Sequence, residues 1–168
     1  MKKGQKKPRD KYHKVKDKWI KATEKWLLLL WLPDFNISWY FNEIPDEDEG
    51  RDGWKPIASV VAKPHYFDAV ITADPAQLIL MDDDDLDSKA CHEVMHIVLS
   101  PYHEWGETML ATMDKKEVLG YREYELVSNE RVTSRLAQIV RKLFKNSKDG
   151  PCCHKHEPKQ RIPKAKKS

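Results

Sequence analysis

From Lys11 onward, apolar residues recur every three to five positions. Tyr12, Val15, Trp19, Ala22, Trp26 and Trp31 are separated largely by lysines, which predicts an amphipathic helix ended by Pro33-Asp34. Leu27, Leu29 and Leu30 thicken its buried end, and its apolar side is expected to cover a sheet. Lys and Trp are also the residues of a membrane-surface helix, but the strands that follow need cover and favour core packing. Between Asn36 and Asn42 the pattern changes to strict alternation. Ile37, Trp39 and Phe41 face one way and Ser38, Tyr40 and Asn42 the other, as in a half-buried strand. Two further strands are expected at Ile57–Ala62 and Phe67–Ala73, joined by a turn at Lys63-Pro64-His65-Tyr66.

Asp74-Pro75-Ala76-Gln77 combines an N-cap, proline at the first helical position and a capping-box partner, so a short helix should run to Met81. Asp82 to Asp85 reads as a solvated linker whose charge favours the next helix. The run lacks the ligand spacing and glycine of a calcium loop. A helix capped by Asp85 or Asp87 follows, with Ala90, Val94, Ile97 and Val98 as its stripe and Pro101 as its stop. Residues 101–120 are poorly patterned. A last helix then runs to about Lys145, with Val132, Leu136, Ile139, Val140 and Leu143 as its expected core face. This order of elements predicts an α+β domain over residues 11–145, with a basic, disordered lead (1–10) before it and a basic, disordered tail (146–168) after it.

Composition adds a charge asymmetry. Residues 1–25 hold eleven Lys/Arg against three acids and residues 141–168 ten against two, whereas the centre holds nine against 22. The acidic, turn-rich stretch from Pro45 to Gly53 belongs to that centre. Basic ends can bind nucleic acid or another anionic surface, and solubilising, partly disordered tails explain them as well. Three cysteines, two of them adjacent (Cys152-Cys153), are no disulfide scaffold and fit a reducing, cytoplasmic setting. The apolar run Trp26–Leu32 is too short to span a bilayer and no cleavage site follows it, so no membrane partner is expected.

The chemistry centres on Cys91-His92-Glu93-Val94-Met95-His96, which contains H-E-x-x-H. Positions i and i+4 stack on one helix face, so His92 and His96 can present two imidazoles to one ion, with the Glu93 carboxylate beside them to accept a proton from water. A catalytic zinc site takes a third protein ligand. Glu130 is preferred over Glu125 and Glu123, because Thr133 and Ala137 on the turns above it are small and would let the two helices approach closely. A donor for a developing oxyanion is also required. Tyr102, His103, Tyr121 and Tyr124 are candidates among which the sequence does not choose.

Residues from about Ile57 to Leu143 resemble the small gluzincin-type metallopeptidases, especially the minimal ones of phages and mobile elements, and more distantly the ImmA/IrrE-type proteases. The resemblance rests on the strand pair Ala58–Ala62 and Ala69–Pro75, the H-E-x-x-H helix, and a later helix carrying Glu130, Thr133, Ser134, Leu136 and Ala137. It implies a zincin-like fold: an N-terminal helix, a small three-stranded twisted sheet, the H-E-x-x-H helix and a second ligand-bearing helix. It further implies a Zn2+-dependent peptidase acting on protein or peptide, with His92, His96 and Glu130 as ligands and Glu93 as general base. A strand near the cleft, Phe67–Ala73, is expected to pair with an extended substrate. Two rival readings are a zinc-fold regulatory or binding protein without turnover, and a nucleic-acid-associated protein using its basic ends. In the last, zinc would be structural, with a fourth ligand drawn from Cys152, Cys153, His154 or His156.

Overall fold

The computed structural model describes residues 8–44 and 56–146. The acidic loop from Pro45 and the Cys152–His156 cluster lie outside them. The chain order is helix α1 (Pro8–Leu29), strands β1 (Asn36–Phe41), β2 (Ala58–Lys63) and β3 (Asp68–Ala73), then helices α2 (Pro75–Leu78), α3 (Asp83–Leu110) and α4 (Lys115–Asn146). The class is α+β, as the pattern predicts.

The sheet has the order β1-β3-β2, with β1 parallel and β2 antiparallel to β3. A 3-10 turn at Pro64–Tyr66 and Phe67 at φ 51° close the β2–β3 hairpin. The expectation that Phe67–Ala73 would pair with a substrate is therefore corrected. β3 is the central strand and both its edges are already bonded, so among the described residues the unpaired edges are the outer ones of β1 and β2, and β2 is the one that borders the cleft.

Ala69, Ile71 and Ala73 point from β3 into a core completed by Val15, Trp19, Trp26 and Leu27 of α1 and by Ala90, Cys91, Val94 and Ile97 of α3. Burial of each large apolar side chain contributes about 1.5–3 kcal/mol. Ile37, Trp39 and Phe41 pack against this core as the alternation requires. The Trp39 indole also donates to the fully buried Thr23 hydroxyl of α1 at 3.0 Å. Trp31 departs from its expected place on the α1 stripe. The helix ends at Leu29, Leu32 N–H reaches back to the Leu27 carbonyl, and Trp31 takes a left-handed φ of 58° that turns its ring out to solvent.

Three further boundaries differ. Asp74 caps α2 as expected, through the Ala76 N–H, but α2 stops at Leu78, before Met81. α3 is capped by Asp82, whose carboxylate accepts from the N–H groups of Asp84 and Asp85; the aspartate run is its first turn and not a linker. Pro101 does not stop α3. A proline deprives the carbonyl four residues earlier of its partner, and here the Ser100 hydroxyl donates to that Ile97 carbonyl at 2.8 Å. The helix continues to Leu110, and α4 returns from Lys115, so most of residues 101–120 is helical.

α4 packs on α3 through Thr133 and Ala137, both buried, with the Cys91 thiol 3.8 Å from the Ala137 carbonyl. Its buried side is thus the one that carries Glu130, rotated from the expected face. Leu136 and Val140 are partly buried, whereas Val132, Ile139 and Leu143 are exposed. Ion pairs fasten the far end: Lys145 and Arg141 to Asp84, Lys25 and Arg141 to Asp87, and Lys18 to Asp83. Some cations of the two basic ends are thereby spent within the molecule, on the acidic start of α3.

Candidate metal centre

One turn of α3 places His92 and His96 on the same face, their rings edge-on with centroids 4.8 Å apart. Their Nε2 atoms are 3.1 Å apart. Across the helix pair, Glu130 brings Oε2 to 3.3 Å from His92 Nε2 and Oε1 to 3.2 Å from His96 Nε2. The approach expected from the small residues is therefore present, since Thr133 and Ala137 let the α4 backbone come close enough for a glutamate to reach both rings. The two imidazoles hold the Glu130 carboxyl well below the usual carboxylate range, through hydrogen bonding first from His92 and then from His96.

The spacing and chemistry of the three donors suit a zinc ion. Tetrahedral bonds of about 2.0–2.1 Å put neighbouring ligand atoms about 3.3 Å apart, and the three contacts here are 3.1, 3.2 and 3.3 Å. Two imidazole nitrogens and a carboxylate are ligands that zinc accepts. Ser134 Oγ stands 3.5 Å from His92 Nδ1, on the ring nitrogen away from the cluster, where it favours the ring orientation that turns Nε2 inward. Among the described residues, His92, His96 and Glu130 are the group that could hold a metal ion.

Glu93 adjoins His92 on α3 and is 1% exposed. Lys89, one turn earlier on α3, holds its Nζ 2.8 Å from Glu93 Oε1, an ion pair whose angles fall outside hydrogen-bond geometry. Sequence reasoning missed Lys89; its i, i+4 spacing to Glu93 is visible in the sequence, but the burial that makes the pair matter is not.

These residues line a cleft of about 460 Å³ bounded by β2 on one side and by α3 and α4 on the other. Of the four candidate oxyanion donors, only His103 lines this cleft. Its Nδ1 is 2.8 Å from Glu125 Oε1, which fixes the ring. Glu125, the rejected alternative ligand, is thus engaged elsewhere. Tyr102, Tyr121 and Tyr124 are exposed and outside the cleft lining. No helix among the described residues is long and apolar enough to cross a membrane. Comparison with known protein families, curated proteins and solved structures returns no match to this chain.

Proposed function

We propose that the protein is a zinc-dependent metallopeptidase of zincin-like architecture, as the resemblance of its ligand helices implies. The observation that carries this reading is the convergence of His92, His96 and Glu130 within 3.1–3.3 Å on the wall of a cleft that also holds Glu93. A bound zinc ion supplies a Lewis acid that acidifies water and polarises a carbonyl.

The chain's own groups do the remainder. An extended peptide lies along the free outer edge of β2, whose backbone groups are open to it, with its scissile carbonyl toward His92 and His96. Glu93 accepts a proton from the attacking water and passes it to the leaving amine as the C–N bond breaks. His103, held by Glu125, donates to the oxyanion that develops on the carbonyl oxygen. His92 and His96 ligate as neutral imidazoles, so metal affinity falls in acid.

The rival reading, a zinc-binding protein without turnover, has one observation in its favour: Glu93 is buried and already paired with Lys89. Glu93→Gln separates the two. Zinc-loaded wild type and Glu93→Gln are incubated with a diverse peptide pool, and cleavage is read by mass spectrometry with a chelator control. Chelator-sensitive cleavage that drops ~10²–10⁴-fold in Glu93→Gln, with zinc content unchanged, supports the peptidase. Equal cleavage by both proteins refutes Glu93 as the base, and no chelator-sensitive cleavage by wild type favours the binding protein.

A further inference from the structure

The face of α4 that was expected to reach the core instead stands in solvent. Val132, Ile139 and Leu143 are 48%, 52% and 65% exposed, and Leu136 lies at the inner margin of the same stripe. Their spacing of four, three and four residues is that of the apolar seam by which two helices pack side by side. Isolated exposed apolar residues need no explanation, but three exposed ones in seam register with the half-buried Leu136 form a surface with a direction and a period.

Charge then restricts what fits it. From Arg131 to Lys145, α4 carries five basic residues and no acid. Arg141 and Lys145 are spent on Asp84 and Asp87. Arg131, Arg135 and Lys142 are exposed and make no ion pair with the described residues. Successive helix positions turn by about 100°, which puts these three along one flank of the seam. The other flank, Thr133 and Val140, is turned into the body of the protein. A second copy of α4 running antiparallel would set Arg135 and Lys142 against the same cations of its partner, which is repulsive. A parallel copy would need the flank already covered by α3.

We propose that this face of α4 is a docking site for an amphipathic helix of another protein, one that presents Leu or Ile at seam spacing with Glu or Asp along the flank facing Arg131, Arg135 and Lys142. The apolar seam supplies contact area and the basic flank selects the partner by charge. None of the seam or flank residues lines the cleft, although Arg131 adjoins Glu130 in sequence.

The probe is a displayed library of helical peptides of about four heptads, with a fixed Leu/Ile seam and flanks randomised among Glu, Lys and Gln, selected on the full-length protein. The expected result is enrichment of Glu-flanked sequences whose affinity falls with added salt. Ile139→Asp should weaken the selected peptides about tenfold or more. Arg135→Glu with Lys142→Glu should shift the preference to Lys-flanked peptides. Ile139 and both flank cations are solvent-exposed, so a thermal melt unchanged from wild type certifies each variant. Three results overturn the proposal: peptides selected without an acidic bias, binding unaffected by Ile139→Asp, or no saturable binding of any peptide. Binding of phosphatidylserine vesicles through the same residues assigns the face to a membrane surface instead, and an Ile139-dependent dimer in sedimentation assigns it to a second copy.

Discussion

Lys89 Nζ lies 2.8 Å from the Oε1 atom of Glu93, one turn further along α3, and the carboxylate it meets is 1% exposed. A buried carboxylate without a cation is among the more destabilising features a fold can carry. Lys89→Met should cost about 1–3 kcal/mol in urea unfolding of the metal-free protein, and adding Glu93→Gln should recover most of it. Additive costs in the double variant would show that the two side chains are not coupled.

Metal content should be about one zinc per chain, and it should distinguish two glutamates that lie one and a half turns apart. Glu130 touches both ring nitrogens, whereas Glu125 holds His103. Elemental analysis after dialysis should find zinc in wild type and Glu125→Ala and little in Glu130→Ala. The opposite ranking would remove Glu130 from the ligand set.

Acid should loosen the end of the helix pair. The Asp84 carboxyl is held below its ordinary 3.8 by hydrogen bonds from Lys145 and then Arg141. A depressed carboxyl contributes stability above its unfolded value, and that contribution is lost as pH falls through the folded one. Wild type should therefore lose stability on acidification below 3.8 more steeply than Asp84→Asn, which lacks the contribution at every pH. Urea midpoints compared between about pH 5 and pH 3 test this, and parallel curves would contradict it.

Cys91 should be inert while the protein is folded. Burial first, and then the nearby Asp87 carboxylate, pushes its thiol up to about 12. The thiolate is the reactive species. In a Cys152→Ser/Cys153→Ser background at neutral pH, iodoacetamide should leave Cys91 unmodified until urea is added. Rapid labelling of the native protein would mean that the α3–α4 contact opens readily.

Much of the candidate site was legible because its signals are local. His92 and His96 need only one helical turn to meet, and Glu130 could be chosen because Thr133 and Ala137 are small. The alternation of Ile37, Trp39 and Phe41 and the cap at Asp74 were equally local. Apart from local boundaries such as the cap at Asp82, the misreadings concern partners distant in sequence, or a compensation that no pattern rule anticipates. Pro101 looked like a stop because the Ser100 hydroxyl that takes the Ile97 carbonyl is invisible to a breaker rule. The central place of β3 depends on a parallel pairing with β1 across the intervening β2. The α4 stripe through Val132, Ile139 and Leu143 has the same period as the stripe through Glu130 and the buried Thr133 and Ala137, and only packing decides which one faces α3. His103 differs from the three tyrosines in lining the cleft, which depends on how α3 and α4 pack and not on any local pattern.

The substitution of a Ser100 side chain for a backbone donor at Pro101 has a consequence for amide-proton exchange. Between Pro101 and Leu126, only Leu110 is buried among the described residues, and the pairs His103–Glu125 and Glu107–Arg122 bridge the two arms of the hairpin. Before Pro101, the α3 backbone is anchored by Ala90, Cys91, Val94 and Ile97 in the core. Protection should therefore fall in a step at the proline, because the outer hairpin can open without disturbing the inner turns. The proposed ligands His92 and His96 belong to the slowly exchanging part and His103 to the quickly exchanging one. The cleft thus spans two tiers of local stability, with His92 and His96 on its fixed half and His103 on an arm that breathes.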